Sequence, residues 1–212
     1  MRIALLNPNT DAQTTALMAD IARAAAPDHW VVEPVTAETG ASLITTPDAY
    51  EVAAAAVGAL APRLQGFDAV IVSAFGDPGR DALRKALPYP VIGLAEAAMS
   101  EADQLSQSRF AIATTTPKLD GTIKALAKAY GHQDGLVSIR YTQGAPLALT
   151  ADTDRLIEEL ADCIKAAQAE DGARAVVIGG GPLAVAARAL ARQFATPIVE
   201  PIPAAVRALT RL

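Results

Sequence analysis

At 212 residues, 51% of them apolar, the chain is long enough for one domain or two small ones with real cores. A net charge of −5, a pI near 5.0 and no basic run exclude a nucleic-acid backbone as partner, and 4% aromatic residues leave no base-stacking platform. The most apolar stretch, residues 52–62, is mostly alanine and too short to span a bilayer, so no membrane partner is expected.

The first residues, Met-Arg-Ile-Ala-Leu-Leu-Asn-Pro, contain no signal-peptide core, and the single Cys163 excludes an internal disulfide framework. Both fit a reducing cytoplasm. Short β-branched runs then alternate with longer Ala/Leu-rich segments at helical spacing, which predicts an α/β fold with parallel strands. Strands are expected at 2–6, 30–35, 68–72, 91–94, 109–113, 137–140, 175–178 and 197–199. Helical patterns lie between them, among them 11–25 and 154–169.

The chain is written twice. Arg2-Ile3-Ala4-Leu5-Leu6-Asn7 is echoed by Arg109-Phe110-Ala111-Ile112-Ala113-Thr114. Asp68-Ala69-Val70-Ile71-Val72-Ser73 is echoed by Arg174-Ala175-Val176-Val177-Ile178-Gly179, and Pro90-Val91-Ile92-Gly93 by Pro197-Ile198-Val199-Glu200. The offsets are 107, 106 and 107 (109 − 2, 174 − 68, 197 − 90). Matched elements at one offset predict an internal duplication into two similar parallel-sheet lobes, 1–106 and 107–212, with the C-terminal helix free to cross over. Ligands of open parallel sheets bind beyond the carboxyl ends of the strands, so the cleft between two such lobes is the expected site.

Asn7-Pro8-Asn9-Thr10 after the first strand reads as a turn with a helix cap, or as amide and hydroxyl donors for a carboxylate or carbonyl oxygen. Thr114-Thr115-Thr116-Pro117 holds the matching place in the second lobe. Ser73-Ala74-Phe75-Gly76-Asp77-Pro78-Gly79 follows the third strand, and Asp77 there is a helix cap as readily as an acid. Its counterpart, Gly179-Gly180-Gly181-Pro182, brings backbone N–H groups close to whatever binds, an arrangement suited to an oxyanion. No lysine follows, so it is not a phosphate loop.

Glu96 and Glu200 complete the polar candidates. A carboxylate in a cleft lined by Ala and Gly would be partly desolvated and suited to acid/base work, although Glu96 serves equally well in the first turn of a helix. Tyr50 is uninformative, and His29 and His132 read as solvated loop residues. Two isolated histidines and one cysteine make no familiar zinc site, so neither metal nor cofactor is expected. Cys163 shares a helical face with Leu156, Leu160, Ile164 and Ala167 and reads as a small buried hydrophobe.

These motifs resemble the Asp/Glu racemase superfamily, and its hydantoin and allantoin racemases in particular. The likeness is carried by Asn7-Pro8-Asn9-Thr10, by Phe75-Gly76-Asp77-Pro78-Gly79 with Ala82-Leu83-Arg84, by Pro90-Val91-Ile92-Gly93-Leu94-Ala95-Glu96-Ala97, by Arg109-Phe110-Ala111-Ile112, and by Pro197-Ile198-Val199-Glu200. It covers essentially the whole chain. It implies a two-lobed fold, a small-molecule substrate, no cofactor and a homo-oligomer. Racemases of this family use two cysteines, one per lobe, on opposite faces of the substrate carbon. The resemblance assigns those positions to Ala74 and Gly180, which the repeat independently pairs, since 180 − 74 is 106.

A methyl group and a hydrogen carry no proton. Asn7, Asn9, Thr10, Ala74, Phe75, Thr114, Thr115, Gly180 and Gly181 remain as substrate-binding residues, and Glu96, Ser73, Asp77 and Glu200 as candidates for catalysis. The expectation is hydrolytic or lyase chemistry on a hydantoin-like ring (thiohydantoins included) or a related small carboxylate. Water would be activated by a carboxylate and seated in the vacated thiol volume. The alternatives are an isomerase with proton transfer relocated to Ser73 and Glu96, and a non-catalytic small-molecule binding protein.

Overall fold

A computed structural model describes all 212 residues. The eight strands are β1 (Arg2–Asn7), β2 (Val31–Thr36), β3 (Ala69–Val72), β4 (Val91–Gly93), β5 (Phe110–Thr114), β6 (Leu136–Tyr141), β7 (Ala175–Gly179) and β8 (Ile198–Val199). Between them run α1 (Ala12–Ala25), α2 (Pro47–Ala59), α3 (Arg80–Ala86), α4 (Leu94–Ser106), α5 (Asp120–Ala129), α6 (Pro146–Thr150), α7 (Thr153–Ala169) and α8 (Ala184–Leu190), and α9 (Pro201–Leu209) closes the chain. All eight strands expected from the sequence form, within a residue or two of their expected ends.

The strands make two parallel four-stranded sheets, ordered β2-β1-β3-β4 and β6-β5-β7-β8. The orders are the same once the second half is counted from its own first strand. Register agrees as well. Leu6 pairs with Val72 and Val70 with Val91 in the first sheet; Ala113 pairs with Ile178 and Val176 with Ile198 in the second. Each second-sheet residue lies 106 or 107 positions after its counterpart (113 − 6, 178 − 72, 176 − 70, 198 − 91). One residue beyond Ser73 and one beyond Gly179, the repeat therefore reaches Ala74 and Gly180 at equivalent strand ends.

By compactness the chain divides into a first unit, Met1–Ala97 with Ile202–Leu212, and a second, Ala98–Pro201. The division falls inside α4, whereas the sequence repeat points to residue 106 as the boundary. The central strands of each sheet are buried end to end: β3 is Ala-Val-Ile-Val, β5 Phe-Ala-Ile-Ala-Thr and β7 Ala-Val-Val-Ile-Gly. Such continuous apolar runs are what a parallel sheet covered on both faces demands. The outer strand β2 carries Pro34, which only an edge tolerates.

In the first unit Leu6, Val57, Leu64, Val70, Val72 and Leu83 form one core cluster; in the second, Leu156, Leu160, Ile164, Val176, Ile178 and Leu190 belong to another. Burying each such side chain contributes about 1.5–3 kcal/mol. Helix α7 shows the logic most plainly. Its buried residues are Leu156, Leu160, Cys163, Ile164 and Ala167, spaced at three, four and seven, and Asp152 caps its start by accepting from the Arg155 amide at 3.2 Å.

Candidate functional site

The polar groups at the strand ends fall into two classes, those already spent within the protein and those still available. Asn7, fully buried after β1, is spent. Its amide nitrogen donates to Asn9 Oδ1 at 2.7 Å, to Thr15 Oγ1 at 2.9 Å and to the Asp11 carbonyl at 3.2 Å, and its Oδ1 accepts from the Asn9 amide at 3.1 Å. Asn7 thus builds the turn instead of reaching for a ligand. The cap of α1 is Asp11, which accepts from the Gln13 and Thr14 amides. That leaves the side-chain NH2 of Asn9 and the Thr10 hydroxyl without a protein partner.

The same split appears at the end of β5. The Thr114 hydroxyl donates to the Gly179 carbonyl at 2.7 Å and lies 3.3 Å from the Thr116 hydroxyl, so it ties β5 to β7. Thr115, also buried, keeps its hydroxyl uncommitted. At the end of β7 the peptide N–H groups of Gly180 and Gly181 donate to no backbone acceptor, while the Gly180 carbonyl accepts from Leu183 at 3.1 Å. Asn9, Thr10, Thr115 and the two glycine amides are therefore the groups that can bind a carbonyl or carboxylate oxygen.

The segment Ser73 to Arg80 is held at several points within the first unit. Ser73 is buried, and its hydroxyl lies 3.1 Å from the Met18 sulfur, a weak acceptor that does nothing to activate it. Ala74 and Phe75 follow, half-buried. Asp77 takes the left-handed backbone conformation (φ 53°), and its carboxylate accepts from the Ala95 amide at 2.8 Å and the Glu96 amide at 2.9 Å. It is a cap, but of α4, the helix that follows the neighbouring strand, and not of α3, which it immediately precedes. Gly93 is required by this contact, because a Cβ there would stand 2.1 Å from the Asp77 carboxyl carbon.

Tyr50, which sequence reasoning passed over, closes the same loop. Its hydroxyl donates to the Gly76 carbonyl at 2.9 Å, and burial, then the nearby Asp77 charge, pushes the phenol up to about 12. A lone tyrosine on a helix 26 residues before the residue it holds (76 − 50) leaves no pattern from which this could have been read.

The remaining carboxylates are also engaged, which corrects the picture of a base standing in an Ala- and Gly-lined space. Glu96 Oε2 lies 3.0 Å from an Arg80 guanidinium nitrogen and 2.7 Å from one of Arg84. Glu200 pairs with Arg188 at 3.4 Å. Neither histidine joins the site. His29 is exposed, and His132, expected to be solvated, instead sits 3.4 Å from an Asp103 carboxylate oxygen with its ring edge-on to Phe110. Cys163 is 7% exposed, and burial raises its thiol to about 11, the reverse of an activated thiolate.

At the two equivalent strand ends there is room to ask what a thiol would meet. At 74 the residue already carries a Cβ. At 180 the backbone has φ 151° and ψ 130°, a conformation kept for glycine, and a Cβ would come within 3.0 Å of Leu183 Cγ and 3.2 Å of its Cδ1. A side chain at 180 would therefore press against the buried Leu183.

Known proteins fit this arrangement. Residues 3–209 match the family described as Asp/Glu/Hydantoin racemase. A hydantoin racemase of Paenarthrobacter aurescens is 28% identical over 98% of this chain and 89% of its own, and one of Rhizobium meliloti is 31% identical over 98% and 86%. Among solved structures, an allantoin racemase from Klebsiella pneumoniae superposes with a TM-score of 0.92 at 32% identity, covering 100% of this chain and 87% of that one.

Proposed function

Because this chain belongs to the Asp/Glu/hydantoin racemase family yet has a methyl group and a hydrogen at the two positions where the family resemblance places thiols, we propose that it acts on a hydantoin-like ring or a related small carboxylate without two-thiol racemisation. The observation that carries this reading is the pairing of Ala74 with Gly180 at equivalent strand ends, beside oxygen-binding groups that are still unspent. Asn9 and Thr10 in the first unit, and Thr115 with the amides of Gly180 and Gly181 in the second, are the donors each unit can offer to a ring or carboxylate oxygen. Charge developing on that oxygen is stabilised by fixed donors, commonly the largest single contribution to catalysis. With no thiol at either position, the chemistry this apparatus supports is attack of water on a carbonyl or thiocarbonyl carbon, the water's proton passing to solvent and the ring nitrogen or sulfide leaving with a proton.

A racemase or isomerase with relocated acid/base groups is the second reading, favoured by the names of the relatives above, hydantoin and allantoin racemases. The engagement of Ser73 with a thioether and of Glu96 with two guanidiniums weighs against it. A binding protein without catalysis would use the same donors.

The test is to incubate the purified protein with single enantiomers of 5-substituted hydantoins and thiohydantoins in D2O and follow NMR and chiral chromatography. A ring-opened or desulfurised product is the expected outcome. Rapid deuterium incorporation with loss of optical activity and no new compound would establish the isomerase instead. Tight binding with no change in any ring would establish the binding protein.

A further inference from the structure

Thr142, the residue just past β6 in the second unit, is 6% exposed, and its hydroxyl is buried without a hydrogen-bond partner. An unpaired buried hydroxyl destabilises a fold, so one that persists asks for a reason. Scaffolding is not the reason. The Thr142 amide donates to the Thr114 carbonyl at 3.1 Å, and the repeat sets the same bond in the first unit, where the Ala37 amide donates to the Asn7 carbonyl at 3.0 Å. Ala37 is buried too, at 3% exposed, so a methyl group fills this place when the fold alone has to be served.

The surroundings of Thr142 point to a ligand. Tyr141, Thr114 and Gly179 form one register row across β6, β5 and β7. Thr142, Thr115 and Gly180 are the next residues on those strands, and they bring one orphaned hydroxyl, one uncommitted hydroxyl and one unspent amide. The corresponding residues of the first unit are Ala37, Pro8 and Ala74, which lie 105 to 107 positions earlier (142 − 37, 115 − 8, 180 − 74). None of the three has a side-chain donor, and Pro8 lacks even an amide hydrogen. The duplication thus kept the backbone of this row and made only the second copy polar.

Resting on the hydantoin-type reading above, we propose that Thr142 is a substrate-binding residue, the outer member of a row of donors at the ends of β6, β5 and β7 that receives oxygen acceptors of the substrate. Donors on adjacent strands stand about 4.8 Å apart, a spacing that suits two acceptor oxygens of one small molecule, such as the two carbonyls of a hydantoin ring. A single rotamer step exchanges the hydroxyl and the methyl of a threonine, so the group is presented with the backbone in place.

The experiment compares two threonines of the full-length protein. Thr142→Val removes the orphaned hydroxyl and keeps the shape, so the melting temperature should rise by roughly 2–12 °C. Thr114→Val strips the bond to the Gly179 carbonyl and should lower it. Binding is then read by calorimetry with 5-isopropylhydantoin and with its ring-opened N-carbamoyl acid. Thr142→Val should bind the hydantoin ~3–10-fold more weakly than the parent, the usual contribution of one neutral hydrogen bond, and Thr142→Ser should bind it like the parent. Higher stability with weaker binding marks a group held for a ligand, whereas a structural hydroxyl gives a loss of stability.

A lower or unchanged melting temperature in Thr142→Val, or an unchanged affinity for a hydantoin that the parent binds, overturns the proposal and leaves the hydantoin reading standing. Binding of the open-chain acid alone, weakened in Thr142→Val, upholds Thr142 and overturns the hydantoin ring as substrate. Binding of neither probe by the parent overturns both.

Discussion

At the scale of single residues, the site is a sorting problem. The polar strand-end positions singled out in the sequence are polar for a reason, but the reasons divide. Asn7 and Thr114 hold turns and strands together, whereas Asn9, Thr10 and Thr115 keep groups to spare. Residue type alone does not separate these classes, because an asparagine that caps and one that binds look identical in sequence. Cys163 could be read correctly because it falls on an apolar helical face, a pattern that periodicity exposes. Its Cys163→Ser variant should keep full turnover and lose at most ~0.5–3 kcal/mol of stability. With the thiol raised to about 11 and buried, the native protein should react slowly with a thiol-specific chromogenic disulfide at pH 8 and at once after unfolding. Immediate reaction of the native protein, or loss of turnover without unfolding in Cys163→Ser, would show that the thiol had been misplaced.

At the scale of elements, the loop between β3 and α3 is the best-held piece of the first unit. Asp77 bonds to two amides of α4, Tyr50 to the Gly76 carbonyl, and Arg80 to the Glu96 carboxylate. The strands were legible because their apolar runs are short, β-branched and bounded by turn residues, and because each appears twice. The loop's wiring was not. Asp77 precedes α3 in sequence and caps α4 in space, and no local pattern reports a contact 18 residues away that depends on β3 lying beside β4. Asp77→Ala strips a buried cap and leaves the Ala95 and Glu96 amides unpaired, so unfolding by urea should show a loss of about 1–3 kcal/mol. Asp77→Asn, which keeps one acceptor oxygen, should lose less. Equal and negligible losses for both would mean that the carboxylate contributes nothing to the hold on α4.

For the molecule as a whole, the titrating groups predict a broad plateau of stability with an edge at each end. On the acid side, the Thr14 hydroxyl holds the Asp11 carboxyl below its ordinary 3.8, Lys124 and then Tyr141 do so for Asp120, and Arg140 for Asp171. Each carboxylate is favoured when charged in the folded state. Its contribution is therefore present above pH 4 and is lost as pH falls through the lowered folded values. On the alkaline side the direction reverses. Burial, aided by the hydrogen bond to Asp120, raises the Tyr141 phenol; burial raises Tyr50 to about 12 and Cys163 to about 11. These groups are favoured when neutral, so their contribution is intact below pH 9 and fades as pH climbs toward 11–12. Both edges draw on both units, Asp11 and Tyr50 in the first, Asp120, Asp171, Tyr141 and Cys163 in the second. Denaturant midpoints taken from pH 3 to pH 11 should be level between about 5 and 9 and fall outside. Tyr141→Phe removes the 2.7 Å bond to Asp120, so its acid edge should be shallower and its alkaline edge displaced upward relative to the parent protein. A single maximum at the isoelectric point near 5.0, with steady decline from there to pH 9, would instead assign the pH dependence to net charge and not to these partnered groups.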